Sequence, residues 1–350
     1  MPTCIELFAG GGGAALGLRR AGYQSLACVE ANAPACATLR AAGFPAVQAW
    51  IGETGHGDLP PYPDGEDAFE YPDLVWASPP CQPYSRAGRQ AGAEDERDGW
   101  PAALRAIRLL RPKWVVVENV VGFPAELAAA QLREAGFASV AVWDLDAVRY
   151  GLPSRRRRVY LVGRREGALP QAPAPTHYAP EDAGADQPRL FGAPLRRYVT
   201  MGEALRVVGE VLPEQRYFCR STHPDETGFG ACTADRRSEL VYRPEETAWK
   251  AASRPEWLDR PAPTVVTVEV KGTRACAATG WGWSGGPDRA SDAAFLATGR
   301  RRLTPEECAI LVGFPSDYPF QGTKVDKYRQ IGNAVAPVMG EVVGRGISAR

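Results

Sequence analysis

Three places in this 350-residue chain carry side chains that could do chemistry, and each lies where a strand ends. Cys81 stands in Ser78-Pro79-Pro80-Cys81-Gln82-Pro83-Tyr84-Ser85, just past the apolar run Asp73-Leu74-Val75-Trp76-Ala77, which reads as a buried strand. About 40 residues on, Trp114-Val115-Val116-Val117 ends on the carboxylate of Glu118, followed by Asn119-Val120. About 70 residues earlier, Ile5-Glu6-Leu7-Phe8-Ala9 runs into Gly10-Gly11-Gly12-Gly13. A free cysteine is commonly an inert core residue and a glycine run a plain turn. At strand ends of an α/β protein, however, the company of a carboxylate and a glycine loop raises the odds that the thiol is a nucleophile.

The elements that must position these groups follow from periodicity. Residues 1–165 alternate short apolar runs with helical stretches at Ala14 to Ala21, Ala33 to Ala42, Ala102 to Leu110 and Ala125 to Ala135. That alternation predicts βαβ units and an α/β, doubly wound, mostly parallel Rossmann-like sheet. From Gly167 to Gly192 proline, alanine and glycine dominate, and the segment reads as a linker or mobile loop. Residues 193–298 hold shorter periodic pieces; in Pro263 to Lys271, Val266, Val268 and Val270 face one way, as in a half-buried strand. After Leu303 helical texture returns, and from Tyr328 onward the pattern predicts a loop and a final helix.

Composition bounds the class. Lysine plus arginine number 41, matched by 41 aspartates and glutamates, so the formal charge is zero and indiscriminate coating of nucleic acid is disfavoured. A local basic cleft remains open, because Arg155 to Arg158 form a dense cluster, with Arg156 and Arg158 on one side of the expected strand. No apolar run approaches the roughly 20 residues that cross a membrane. The chain is expected to stay in the cytoplasm, with its eight scattered cysteines reduced. Cys219, His223 and Cys232 do not have the spacing or number of a structural zinc site, so no metal is expected.

The ordered blocks resemble the cytosine-5 methyltransferases, which use S-adenosylmethionine to methylate cytosine in nucleic acid. The resemblance spans most of the chain. Its blocks are Phe8 to Gly13, Glu30, Pro80-Cys81-Gln82, Glu118-Asn119-Val120, Arg156 to Val162, Arg301 to Cys308 with Gly313-Phe314-Pro315, and Gln330 to Val335. It implies Cys81, Glu118 and Arg158 as catalytic residues: the thiolate adds to carbon 6 of cytosine, Glu118 donates a proton towards ring nitrogen 3, and Arg158 holds the base oxygen and orients Glu118. A turn with exposed amides is expected to help the Cys81 thiol ionise. Cofactor contacts are expected from Phe8, Ala9, Gly10, Gly12, Gly13, Glu30, Ala31, Asp58, Pro80, Asn333 and Ala334, with Glu30 on the ribose hydroxyls and Phe8 against the adenine.

The resemblance further implies double-stranded DNA as partner, base flipping, and a division into a cofactor and catalytic domain (1–165 plus 299–350) and a linker and target-recognition domain (166–298). Arg156, Ser85, Arg236, Arg237 and Trp281 are the candidate nucleic-acid contacts. A restriction endonuclease acting on the same site is a candidate companion, and one chain holds every piece of a monomeric enzyme. Two other readings stay open: a tRNA-methylating relative, suggested by Pro83-Tyr84-Ser85-Arg86, and a catalytically silent binding protein. The chain departs from the family pattern at Glu6, where aspartate is common, at Ala336, where proline often stands, and at Ser154, where glutamine is common. The last change is expected to alter packing between the domains.

Overall fold

The computed structural model describes residues 1–51, 71–81, 84, 95, 98–182, 189–190, 193–208, 216–218, 255–256, 261–262, 264–265, 267–270, 273–276, 281–283, 300–301 and 304–348. Its centre is a seven-stranded sheet built from β1 (Thr3–Leu7), β2 (Gln24–Glu30), β3 (Ala46–Gln48), β4 (Leu74–Ala77), β5 (Trp114–Asn119), β6 (Ser139–Asp146) and β7 (Arg157–Arg164), in the order β3-β2-β1-β4-β5-β7-β6. Strands β3 to β5 in that order run parallel; β7 is antiparallel to both its neighbours. The expected α/β, mostly parallel, doubly wound sheet is what the chain forms.

Both faces of the sheet are covered, which is why its central strands read as unbroken apolar runs. On one face Val115, Val117 and Leu161 pack with Trp100, Ala103, Leu104 and Ile107 of α3 (Trp100–Leu110) and Leu132 of α4 (Ala125–Glu134). On the other, Trp114, Val116 and Val162 pack with Leu18 of α1 (Gly13–Arg20) and Met339 and Val343 of a C-terminal helix. The apolar residues of α3 recur at helical spacing, and each large side chain so buried contributes about 1.5–3 kcal/mol. Helix α2 (Ala33–Ala41) starts at Asn32, whose side chain accepts from the Ala35 amide at 3.1 Å, with Pro34 in its first turn.

Among the described residues the later helices are α5 (Met201–Leu205), α6 (Pro305–Val312), α7 (Lys324–Asn333) and α8 (Pro337–Ser348). Helix α7 corrects the expected loop after Tyr328. A capping box between Thr323 and Asp326 starts it, and Tyr328, Gln330 and Ile331 are buried. Helix α8 packs against α1 at very short range: a Cβ on Gly17 would stand 2.2 Å from the Pro337 carbonyl oxygen. The segment after Gly167 is, in its described part, a docked strap. Tyr150 donates to the Pro173 carbonyl (2.7 Å), His177–Tyr178 pairs with Arg196–Arg197, and Arg149 and Arg155 form ion pairs with Asp182 and Glu181. Among the described residues no helix is long and apolar enough to cross a membrane.

Candidate active site

Parallel strands β1, β2, β4 and β5 end on one edge of the sheet, and β7, running the other way, begins there. The glycine loop, Glu30, the Pro-Cys loop, Glu118 and Arg158 therefore converge on that edge because of topology. The order of connection reverses between β1 and β4, where open α/β sheets bind ligands.

The carboxylate and the guanidinium meet directly. Arg158 Nε lies 3.1 Å from Glu118 Oε1, and both side chains are largely withdrawn from solvent. Burial pushes the Glu118 carboxyl above its ordinary range, while Arg158 and Arg156 oppose that rise. Cys81 is half-buried beside them. Burial likewise pushes its thiol up; Arg158 pulls it down, Glu118 raises it and Arg156 lowers it. The ionising help expected from the turn's amides is thus outweighed by desolvation. Unionised thiol and protonated Glu118 are the forms that burial favours before a substrate enters.

Asn119, which stands in the Glu118-Asn119-Val120 block with no role of its own expected, holds this arrangement. Buried next to Glu118, it donates from Nδ2 to the Pro79 carbonyl (3.2 Å) and accepts from the Val120 amide (2.8 Å). It thereby ties the end of β5 to the loop that carries Cys81. Its position directly after the strand-end carboxylate was the available signal. Tyr84 closes the loop's first turn, its amide donating to the Cys81 carbonyl at 3.0 Å, and its ring meets Phe123 edge-on.

On the cofactor side, Gly10 is the glycine that opens onto free space. Its φ is +53°, and a Cβ there would meet nothing within 4 Å among the described residues. Phe8 shares that left-handed backbone (φ 58°), and its ring lies by Gly99 and Pro80 at the start of α3. The Glu30 carboxylate accepts from the Gly10 amide and the Asn32 amide, both at 2.7 Å, and so links the loop to α2. A small polar ligand fits this open cradle beside a carboxylate. Gly12 and Gly13 are constrained by packing: a Cβ on Gly12 would stand 2.8 Å from Leu39, and one on Gly13 only 2.0 Å from the Val335 carbonyl oxygen. Ala9 and Ala334 are core residues, and Ala31 and Asn333 are exposed near the same edge. Asp58 lies outside the described residues.

Of the expected nucleic-acid contacts, Arg156 needs correcting. It is 3% exposed, and its guanidinium donates to the carbonyls of Val265 (3.1 Å), Gly332 (3.1 Å) and Ala334 (2.5 Å). Desolvation lowers its pKa to about 9, and it has no surface to offer a phosphate. Ser85, Arg236 and Arg237 lie outside the described residues, as do the side chain of Trp281 and the residues Cys219, His223 and Cys232. Ser154, buried, donates to the Leu311 carbonyl at 2.6 Å, so it fastens the approach to β7 onto α6.

A family model described as C-5 cytosine-specific DNA methylase matches residues 2–349. Among curated proteins, the chain is 30% identical over 353 residues to Type II methyltransferase M.NgoMIV of Neisseria gonorrhoeae, covering 99% of this chain and 96% of that protein. It is 27% identical to Type II methyltransferase M.AplI of Arthrospira platensis, covering 98% and 84%. Among solved structures, the Dnmt2 methyltransferase of S. pombe matches with a TM-score of 0.57 at 17% identity, covering 100% and 98% of the two chains. The Entamoeba histolytica methyltransferase EhMeth matches with a TM-score of 0.58 at 14% identity, covering 100% and 98%. At those identities the two structures speak for the fold alone.

Proposed function

The chain belongs to the C-5 cytosine-specific DNA methylase family, and from that premise we propose the parts its residues play. The reaction is S-adenosylmethionine-dependent methylation of carbon 5 of cytosine in DNA. The observation that carries the assignment of roles is the meeting of Glu118 and Arg158 beside Cys81, at the same end of the sheet as the switch point between β1 and β4.

Carbon 5 of cytosine is too weak a nucleophile to take a methyl group unaided. In this reading the Cys81 thiolate adds to carbon 6, Glu118 supplies a proton towards ring nitrogen 3, and the ring becomes an enamine with electron density at carbon 5. Burial suits Glu118 to this, because desolvation raises its carboxyl pKa and so favours the protonated form that can donate as charge develops on the base. Arg158 holds the base oxygen and fixes the Glu118 carboxylate through its Nε. S-adenosylmethionine supplies an electrophilic methyl group, and its holders here are Phe8, Gly10, Glu30 and Pro80 at the open part of the loop, with Asn333 on the far wall. Once the methyl group is on carbon 5, a base removes the carbon-5 proton, the C–S bond to Cys81 breaks, and the thiolate is regenerated.

The cytosine reaches Cys81 only when it leaves the duplex stack, which costs a few kcal/mol that contacts to the flipped base offset. We assign residues 166–298 to a linker and target-recognition domain and residues 1–165 with 299–350 to the cofactor and catalytic domain. Residues Ser85, Arg236, Arg237 and Trp281 stay candidates for DNA contact in this scheme. The enzyme acts as a monomer in the cytoplasm, alone or beside an endonuclease of the same specificity; relatives named Type II methyltransferases support that setting.

Single-base methylation sequencing of DNA from a methylation-free host expressing the wild type or Cys81→Ser tests the reading. The expected result is 5-methylcytosine at one short motif with the wild type only. Labelled methyl groups entering RNA in place of DNA would move the substrate to RNA. Equal methylation by both proteins would remove Cys81 from the mechanism.

A further inference from the structure

Arg156 is a buried charged residue for which the mechanism above has no use. Nη1 donates to the Val265 carbonyl, and Nη2 donates to the carbonyls of Gly332 and Ala334. Its own amide donates to Asp146 Oδ1 at 3.2 Å, which pins the residue to the end of β6. Its Nε has no hydrogen-bond partner among the described residues. The carbonyls it collects belong to two distant parts of the chain. Gly332 and Ala334 flank Asn333 at the end of α7, and the same turn leads to Val335 against Gly13. Val265 lies two residues before the strand Thr267–Val270, in the segment assigned to target recognition. Two residues after Arg156, at the start of β7, Arg158 holds Glu118.

One planar group thus joins the wall of the cofactor cradle, the entrance to the recognition segment and the strand that bears a catalytic residue. A guanidinium offers its donors in a fixed fork, so a displacement of the 332–334 turn changes the geometry open to Val265, and the reverse. An ammonium on a flexible stem cannot reproduce that fork. We infer that Arg156 is a positioning residue that couples the two binding events: cofactor seated against the 332–334 turn and DNA seated on the segment after Val265 each favour the same geometry of this latch. The inference rests on the assignment of cofactor and DNA sides made above.

Coupling between two ligands is reciprocal and measurable as a ratio of dissociation constants, commonly about 5–150-fold. The experiment uses full-length protein, a duplex carrying the methylated motif, and S-adenosylhomocysteine as the unreactive cofactor analogue. DNA affinity is measured by fluorescence anisotropy with and without the analogue, and analogue affinity by calorimetry with and without DNA, for the wild type, Arg156→Lys and Arg156→Met. The expected result is a coupling ratio in the wild type that falls by about 5-fold or more towards one in Arg156→Met, with Arg156→Lys between, and the same loss seen from both ligands. Thermal melting accompanies each variant; should Arg156→Met fail to fold, Arg156→Lys carries the comparison. A merely structural arginine predicts a lower melting temperature with the coupling ratio intact, and that result overturns the latch, as does a methylating wild type with no coupling at all. A wild type that neither methylates DNA nor binds it sinks the enzyme reading first, and the latch with it.

Discussion

Arg158 Nε and Glu118 Oε1 stand 3.1 Å apart across the seam between β5 and the antiparallel β7, where Glu118 pairs in register with Tyr160. The pair is made by strand direction: only an antiparallel β7 starts at the edge where β5 ends. Replacing Glu118 by glutamine keeps the shape and removes the transferable proton. The expected outcome for Glu118→Gln is a fall in single-turnover methyl transfer of about 10²–10⁴-fold, the usual contribution of a positioned acid or base. Cofactor affinity should be unchanged, and calorimetry beside the rate measurement checks both halves.

Arg158 pulls down the pKa of the Cys81 thiol and of the Glu118 carboxyl, each of which burial pushes up. The thiol must be ionised and the carboxyl protonated, so activity rises with pH through the first and falls through the second. Removing the guanidinium lets both rise further. The pH profile of Arg158→Gln should therefore move to the alkaline side on both limbs, and alkylation of Cys81 by iodoacetamide should need higher pH than in the wild type. An unmoved alkylation profile would show that Arg158 does not act on the thiol.

The glycines of the loop separate into two roles. Gly13→Ala places a methyl group 2.0 Å from the Val335 carbonyl oxygen, a backbone clash that should cost several kcal/mol or prevent folding. Gly10→Ala meets open space and a left-handed backbone only, a cost of about 1–2 kcal/mol. Thermal melting should show a severe loss for the first and a mild one for the second, while cofactor affinity in the folded Gly10→Ala protein should fall.

Glu6 is buried on β1 with one carboxylate oxygen that has no hydrogen-bond partner among the described residues, and burial raises its pKa to about 8. Its value in the unfolded chain is near 4.3, so between those values the folded protein binds more protons. Stability from this group is complete below the unfolded value and is lost as pH rises through about 8. Glu6→Gln should flatten the decline in melting temperature between pH 5 and 8.5, a difference of at most a few kcal/mol. Parallel pH-dependent slopes in the two proteins would place the titration elsewhere.

The parts of the fold that were legible were those with local causes. Leu74 to Ala77 and Trp114 to Val117 announced themselves because both faces of the sheet are covered, and Glu118 and Cys81 were findable because each follows such a run. Strand alternation placed Arg156 with Arg158 on one side. It could not show that Val265, Gly332 and Ala334 come to cover the first of them, since those residues are brought there by tertiary packing alone. Asn119 was hidden for the same reason: its partner is the Pro79 carbonyl, on another strand's loop. The helix from Lys324 had a readable start in Thr323 and Asp326, but Gly332 and a polar surface masked its continuation past Tyr328. The strap after Gly167 looked like a linker because proline and alanine predominate, while its anchors are arginines that precede it in the chain.

The contact of Gly13 and Gly17 with Val335 and Pro337 also sets a schedule for synthesis. The glycine loop leaves the ribosome long before one wall of its surroundings, which is made more than three hundred residues later. A growing chain therefore carries Cys81 and Glu118 without a finished cradle beside them until Val335 has been made. Ribosome-arrested chains ending before Val335 should not retain S-adenosylhomocysteine, and release of the whole chain should restore binding. Methylation competence would then arrive in a single late step, when the last helices close over the first.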